Sequence, residues 1–129
     1  MLLFFENAGY IYIVDRLKDL IIRGGENISC AEVESVFYDH PNVLECAAFG
    51  MKDTRLGERV GLCIVMKAGV DQVSKNEFIT HAGKTLARFK IPEAKDMFIQ
   101  YEQLDRGATG KILKRAIRDR FNKIAVSKL

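Results

Sequence analysis

Apolar residues along this chain fall into short blocks, some alternating as strands do and some spaced for one face of a helix. Tyr10 to Val14 is β-branched and aromatic throughout, so residues 1 to 14 read as one strand or two. Asp15 to Lys18 interrupts the pattern and Asp19 to Arg23 resumes it, which predicts a hairpin between the two runs. Gly24-Gly25 marks a turn open to unusual backbone angles. Ser29 with Glu32 has the spacing of a capping box, and Ile28 with Val33 that of a hydrophobic staple. Cys30, Val33, Val36 and Phe37 then share one helical face, and Pro41 closes that helix.

Val43 to Phe49 reads as a strand and Met51 to Glu58 as a polar loop holding Gly57. Val60 to Met66 is nearly continuous apolar sequence, the mark of a central strand covered on both faces. Ala68 to Asp71 turns the chain. Ser74 and Glu77 repeat the capping-box spacing, with Val73 and Phe78 as the staple, and predict a helix running to about Leu86 that buries Phe78, Ile79, Ala82 and Leu86. Pro92 ends a short segment, and Met97 to Ile99 is a third strand. A final helix is predicted to bury Leu113, Ile117, Phe121 and Ile124, which recur every three to four residues. The order is hairpin, helix, strand, strand, helix, strand, helix. Two neighbouring strands joined by a loop favour antiparallel pairing, so the fold class is α+β. No repeat or low-complexity tract interrupts it.

Composition narrows this only a little. A chain of 129 residues with 48% hydrophobic residues suits one domain with a packed core. No apolar run reaches the ~20 residues that a membrane span needs. Met1 to Phe5 lacks the basic flank and cleavage site of a signal peptide. Cys30, Cys46 and Cys63 are odd in number, show no metal-ligand spacing and read as reduced core thiols of a cytoplasmic protein. His40 and His81 stand apart in the sequence, so no metal site or catalytic triad is expected. The net charge of +3 is mild but uneven: six basic residues lie between Lys111 and Lys123, with only Asp119 opposing. A solvated helix face explains such a run, and so does a docking surface for phosphates. No recognition motif or aromatic stacking pattern accompanies it, and with a pI near 8.8 nucleic-acid binding is the weaker alternative.

The chemically richest stretch is Leu104-Asp105-Arg106-Gly107-Ala108-Thr109-Gly110-Lys111-Ile112-Leu113-Lys114-Arg115. Its glycines permit a tight turn and close approach to a ligand, and Lys111 supplies a point charge suited to an oxyanion. A helix starting near Lys111 would add the positive end of its dipole at the same place. A plain connection before a helix is the alternative. The spacing excludes a nucleotide-cradling loop of the Walker type, because two residues rather than four separate Gly107 from Gly110 and Ile112 follows Lys111.

This stretch resembles the C-terminal signature of the adenylate-forming superfamily of acyl-CoA synthetases, peptide-synthetase adenylation domains and luciferases. Gly9 to Ile28, continuing to Ala31-Glu32-Val33-Glu34, resembles a second signature, and Leu86-Ala87-Arg88-Phe89-Lys90-Ile91-Pro92 a third. All three stand in the family's order, and Gly24-Gly25-Glu26-Asn27 is closest to the acyl-CoA synthetase branch. The resemblance implies a small lid domain, a three-stranded sheet flanked by helices and preceded by a β-hairpin. It divides the chain into residues 1–17, a strand and hinge segment at the edge of a large domain, and residues 18–129, the lid.

The resemblance also implies a chemistry. A carboxylate attacks the α-phosphate of ATP, and the thiol of coenzyme A then displaces AMP. Lys111 is implied as the cation bridging carboxylate and phosphate, with Gly107, Thr109 and Gly110 near the phosphate. Lys18 matches the hinge about which the lid turns. Gly24, Gly25, Glu26 and Asn27 match a loop near coenzyme A and the adenylate, although Gly24-Gly25 reads equally well as a plain turn. Lys111 has the alternative of a solvated lysine at a helix start. Asp105 departs from the family, which usually has proline there, and either loosens the loop or sets a carboxylate near Lys111. Nothing in the sequence resembles the family's large N-terminal domain, so that domain is the expected partner. ATP with magnesium and coenzyme A belong to the full enzyme, and neither is expected on this chain alone. A free-standing module complementing a separate large subunit is the alternative. Acyl-chain selectivity is not legible. Residues 2 to 14, apolar without those partners, are expected to pair with a second copy of the chain, with folding back on their own domain as the alternative.

Overall fold

The glycine pair closes a hairpin. Leu20–Arg23 (β1) and Glu26–Ser29 (β2) pair antiparallel from Leu20 against Ser29 to Arg23 against Glu26. Gly24 and Gly25 have φ of 55° and 88°, and this double positive φ is what a two-residue hairpin turn needs to match the strand twist. One arm of the hairpin expected between Tyr10–Val14 and Asp19–Arg23 lies outside the described residues, and among these β1 pairs with β2. The structure, a computed structural model, describes residues 19–127. The strands read in residues 1 to 14, the hinge at Lys18 and the contact through residues 2 to 14 lie outside them.

Ser29 caps helix α1, Cys30–Tyr38, its hydroxyl accepting the Glu32 N–H. The reciprocal half of the box is replaced, since the Glu32 carboxylate holds Lys90 at 2.9 Å instead. Strand β3 runs Val43–Asp53 and β4 runs Gly57–Met66, antiparallel along their length. The polar loop expected from Met51 to Glu58 shrinks to three residues between these strands. Asp53 closes that turn by accepting the N–H groups of Arg55 and Leu56, and Arg59 is neutralised between Asp53 and Asp96, so polar residues are held in register at the strand ends. Ser74 caps helix α2, Lys75–Ala82, through the Glu77 N–H. Helix α2 ends at Ala82, with Gly83 as its cap, four residues before Leu86, although Leu86 is still buried. Two one-turn 3-10 helices, Arg88–Lys90 and Ala94–Asp96, lead into strand β5, Met97–Gln100, which pairs parallel with β4. Helix α3 spans Lys114–Ser127.

Among the described residues the sheet has five strands, with β4 at its centre. The three read from the sequence are β3, β4 and β5, and the hairpin joins them through Arg23 opposite Gly57. Alternation along β3 and β4 feeds two cores. Cys46, Ala48, Leu62 and Ile64 face one side, against Val33 and Phe37 of α1 and Phe78 of α2. Ala47, Phe49, Cys63 and Val65 face the other, against Leu104 and against Ile117 and Phe121 of α3. There Phe98 stacks on Phe121 with centroids 4.2 Å apart, and Phe49 lies beyond at 5.7 Å from Phe121. Removing the Phe121 ring would cost about 3–5 kcal/mol by the usual measure of such truncations. Leu113, expected in this core, is 44% exposed, because α3 begins one residue after it.

All three cysteines are free and buried, and burial raises each thiol, Cys63 to about 12. His40 and His81, apart in sequence, meet edge-on at 5.2 Å beside Phe78. Among the described residues no group of three or more His, Cys, Asp or Glu is placed to hold a metal, and no helix is long and apolar enough to cross a membrane.

Candidate functional site

Leu104 enters the second core at 3% exposure and fixes the start of the loop that carries Gly107, Thr109, Gly110 and Lys111. Arg106 and Ile112 form an isolated antiparallel bridge across the loop. Within it the Gly107 N–H donates to the Lys111 carbonyl and the Gly110 N–H to the Gly107 carbonyl, both at 2.9 Å. The Leu113 N–H reaches the Asp105 carbonyl at 2.8 Å and closes the base. Gly110 has φ of 85°, a conformation that side chains resist, and it turns the chain into Lys111. Thr109, Gly110 and Lys111 are exposed. The loop is a short β-arch, so Lys111 stands on its returning arm and not at a helix start. The first residue of α3 is Lys114, and the positive end of the helix dipole lies there.

Lys114 is the residue that sequence reasoning passed over. Its ammonium donates to Asp19 at 2.8 Å, to Glu34 at 2.7 Å and to the Ala48 carbonyl at 2.6 Å, while Glu34 also accepts the Ala48 N–H. One cation thus joins the entry to β1, helix α1, strand β3 and helix α3. Burial acts to lower its pKa, but Cys30, Glu34 and Asp19 outweigh burial and hold the ammonium above the usual lysine range. Glu45 is the second omission. It is buried on β3, accepts the Leu104 N–H at 3.1 Å and pairs with Arg106, which in turn donates to the Gly110 carbonyl at 3.0 Å. A carboxylate inside the apolar run Val43 to Phe49 was the available signal, since burial there demands a charged partner.

Between the loop, Asp19 and α1 lies a cleft of about 700 Å3 lined by Lys111, Arg106, Arg115, Glu34 and Tyr38 among others. Of the six cations from Lys111 to Lys123, Lys114 is spent on Asp19 and Glu34, Arg118 pairs with Asp119, and Arg120 lies 3.5 Å from Asp105. Arg120 also stacks over Phe121, with its guanidinium carbon 4.6 Å from the ring centroid. Lys111 and Arg115 are both exposed and both line the cleft, a setting suited to an anionic group. Asp105 turns its carboxylate to Arg120 on α3.

The structure brings Gly107, Thr109, Gly110 and Lys111 into one loop. It keeps Gly24, Gly25, Glu26 and Asn27 elsewhere. Asp19 lines the Lys111 cleft, and Gly24 follows at the far end of β1, roughly 16 Å away at the rise of an extended strand. There the Gly24 N–H donates to the Leu56 carbonyl at 2.8 Å, which ties the hairpin turn to the β3–β4 turn. Glu26 and Asn27 are exposed.

The family model of the AMP-binding enzyme C-terminal domain matches residues 32–111, more than half of the chain. The chain belongs to that family. An AMP-binding C-terminal domain of this kind recurs in a long-chain-fatty-acid–CoA ligase of Mycobacterium tuberculosis, 42% identical over 91% of this chain and 22% of the relative. A medium-chain fatty-acid–CoA ligase of Escherichia coli is 40% identical over 88% of this chain and 20% of the relative. Among solved structures, a Mycobacterium tuberculosis fatty acyl CoA synthetase superposes with a TM-score of 0.74 at 38% identity, covering 84% of this chain and 21% of that one. An o-succinylbenzoate CoA synthetase of Bacillus subtilis, in complex with its acyl-adenylate intermediate, gives 0.69 at 38% identity, covering 78% and 20%. The chain thus spans about a fifth of the length of the proteins it matches, and the AMP-binding C-terminal domain is the part they share.

Proposed function

We propose that this AMP-binding C-terminal domain is the lid of an ATP-dependent acyl-CoA synthetase and supplies Lys111 to the adenylation step. The observation that carries the reading is the exposed Lys111 on an arch whose base is fixed to the core, beside a cleft with an excess of exposed cations. When ATP with magnesium and a carboxylic acid occupy the large N-terminal domain, a carboxylate oxygen attacks the α-phosphorus and pyrophosphate leaves. Two anions approach in that step. The Lys111 ammonium, keeping its proton, lies between them and offsets charge that grows toward the transition state. Gly107, Thr109 and Gly110 shape the backbone that meets the phosphate.

The lid, residues 18–129, then turns about Lys18, and residues 1–17 stay with the large domain. That rotation presents Gly24, Gly25, Glu26 and Asn27 to coenzyme A and the adenylate. Their separation from Lys111 along β1 supports a division of the two half-reactions between two faces. The three buried thiols fit a reducing compartment such as the cytoplasm. Pairing of three of the six cations from Lys111 to Lys123 with carboxylates weakens the reading as a nucleic-acid binder. Residues 2–14 are the proposed contact between two copies, and deletion of residues 1–13 is expected to convert a dimer to a monomer by light scattering.

The test combines this chain with a separately expressed large domain of a homologous synthetase. ATP–pyrophosphate exchange dependent on a fatty acid is expected in the mixture and not with the chain alone. Lys111→Ala is expected to abolish exchange while sparing thioester formation from preformed acyl-adenylate. Exchange by the chain alone, or equal loss of both half-reactions in Lys111→Ala, overturns the reading.

A further inference from the structure

Resting on that reading of Lys111, we propose that Glu45, acting through Arg106, is the positioning residue of the Lys111 loop. Glu45 sits near the start of β3, where the regular ladder with β4 begins after a register shift, on the face shared by Ala47 and Phe49. Its carboxylate is buried, and both oxygens are engaged: Oε2 accepts the Leu104 N–H at 3.1 Å, and Oε1 pairs with the Arg106 guanidinium. A second nitrogen of the same guanidinium donates to the Gly110 carbonyl at 3.0 Å. Gly110 precedes Lys111 directly. A planar guanidinium with a fixed fork therefore transmits the position of a core strand to the peptide that orients Lys111.

The loop needs such a tie. A single bridge spans it, and Gly110, with φ of 85°, is the residue type whose flanking peptide reorients at least cost. Holding the Gly110 carbonyl fixes that peptide, and with it the direction in which the Lys111 side chain leaves the backbone. Lysine at position 106 would neutralise Glu45 but could not span Glu45 and Gly110 with one rigid plane.

The experiment uses the chain reconstituted with the large domain and measures both half-reactions. Glu45→Gln keeps an acceptor for the Leu104 N–H and removes the charge that orients Arg106. Arg106→Lys keeps the charge and removes the span. In both, pyrophosphate exchange is expected to fall roughly 10- to 100-fold, the scale of a small misplacement of a reacting group. Thioester formation from preformed acyl-adenylate should stay within about twofold. The double variant should be no slower than the slower single. Protection of the Gly110 amide, bonded to the Gly107 carbonyl, should fall in hydrogen exchange even where Glu45→Gln lowers the melting temperature. Equal loss of both half-reactions, an unchanged exchange rate, or full activity in Arg106→Lys overturns the positioning role. Loss in Lys111→Ala with none in Glu45→Gln overturns the positioning alone, whereas intact exchange in Lys111→Ala overturns the reading of Lys111 and this inference with it.

Discussion

The Gly24-Gly25 turn and the Gly107–Lys111 loop are both exposed glycine-bearing turns on one small sheet, yet they are held in different ways. The first is local. Four residue pairs between its strands fix them, two positive-φ glycines fix the turn, and one backbone bond to Leu56 adds an anchor. The second has a single bridge and is set by charges distant in sequence, Glu45 through Arg106 and, at the head of α3, Glu34 and Asp19 through Lys114. A turn held by its own backbone keeps its shape whatever happens elsewhere. A loop held by side chains from the core moves when those charges change, so its lysine can be aimed.

The comparison breaks most sharply at two lysines three residues apart. Lys111→Ala should lower adenylate formation in the reconstituted enzyme by about 10^2- to 10^3-fold, the scale of losing one preorganised donor at a developing charge. Its unfolding free energy should stay within about 0.5 kcal/mol of the parent, as for most exposed sites. Lys114→Met should do the reverse in stability, costing about 2 kcal/mol in urea denaturation, because Asp19 and Glu34 are left facing each other and the Ala48 carbonyl loses its donor. The pH dependence follows from the sign of the shift. The folded pKa of Lys114 lies above the ordinary 10.5, so its contribution is complete below that value and is lost as pH rises through the folded one. The gap between parent and Lys114→Met should be constant from pH 7 to 10 and narrow only above.

Smaller effects sharpen the local side. Gly24→Ala should cost about 2 kcal/mol, since it forces a side chain into positive φ and sets a Cβ 3.2 Å from Leu56 Cδ2. Gly25→Ala meets open space and should cost about 1 kcal/mol from φ alone. Thermal melts that rank the two the other way would show that the Leu56 contact is not felt. The weakest effect is expected in acid. The Leu56 N–H, then Arg59 and the Arg55 N–H, hold the Asp53 carboxyl at about 2, below the ordinary 3.8. Its contribution is present above pH 3.8 and disappears as pH falls through about 2. Because Asp53 closes the turn whose Leu56 carbonyl receives the Gly24 N–H, protection of the Gly24 amide should decline over that window, while that of Gly110 should not follow it.

Local signals in the sequence carried as far as local physics reaches. Ser29 and Ser74 cap helices because a hydroxyl three residues before an N–H finds it within one turn. Val60 to Met66 is central because an unbroken apolar run must be covered on both faces. The glycines of the Lys111 loop were legible as a turn for the same reason. Several expectations failed where partners lay outside the local window. The length of α2 turned on Gly83, and the start of α3 on the arch that delays it to Lys114. The polar ends of β3 and β4 stayed in the sheet because Arg59 meets Asp96, 37 residues away.

By itself the sequence determined the three helices, the cores of β3, β4 and β5, the α+β class and the loop that presents Lys111, because capping, alternation and turn geometry act between near neighbours. Tertiary structure alone decided what holds that loop. Glu45 and Arg106 are 61 residues apart, and Lys114 and Asp19 are 95. No spacing rule links charges so distant. They become partners only because β3 lies at the middle of two cores, where a carboxylate without a cation would be costly to bury.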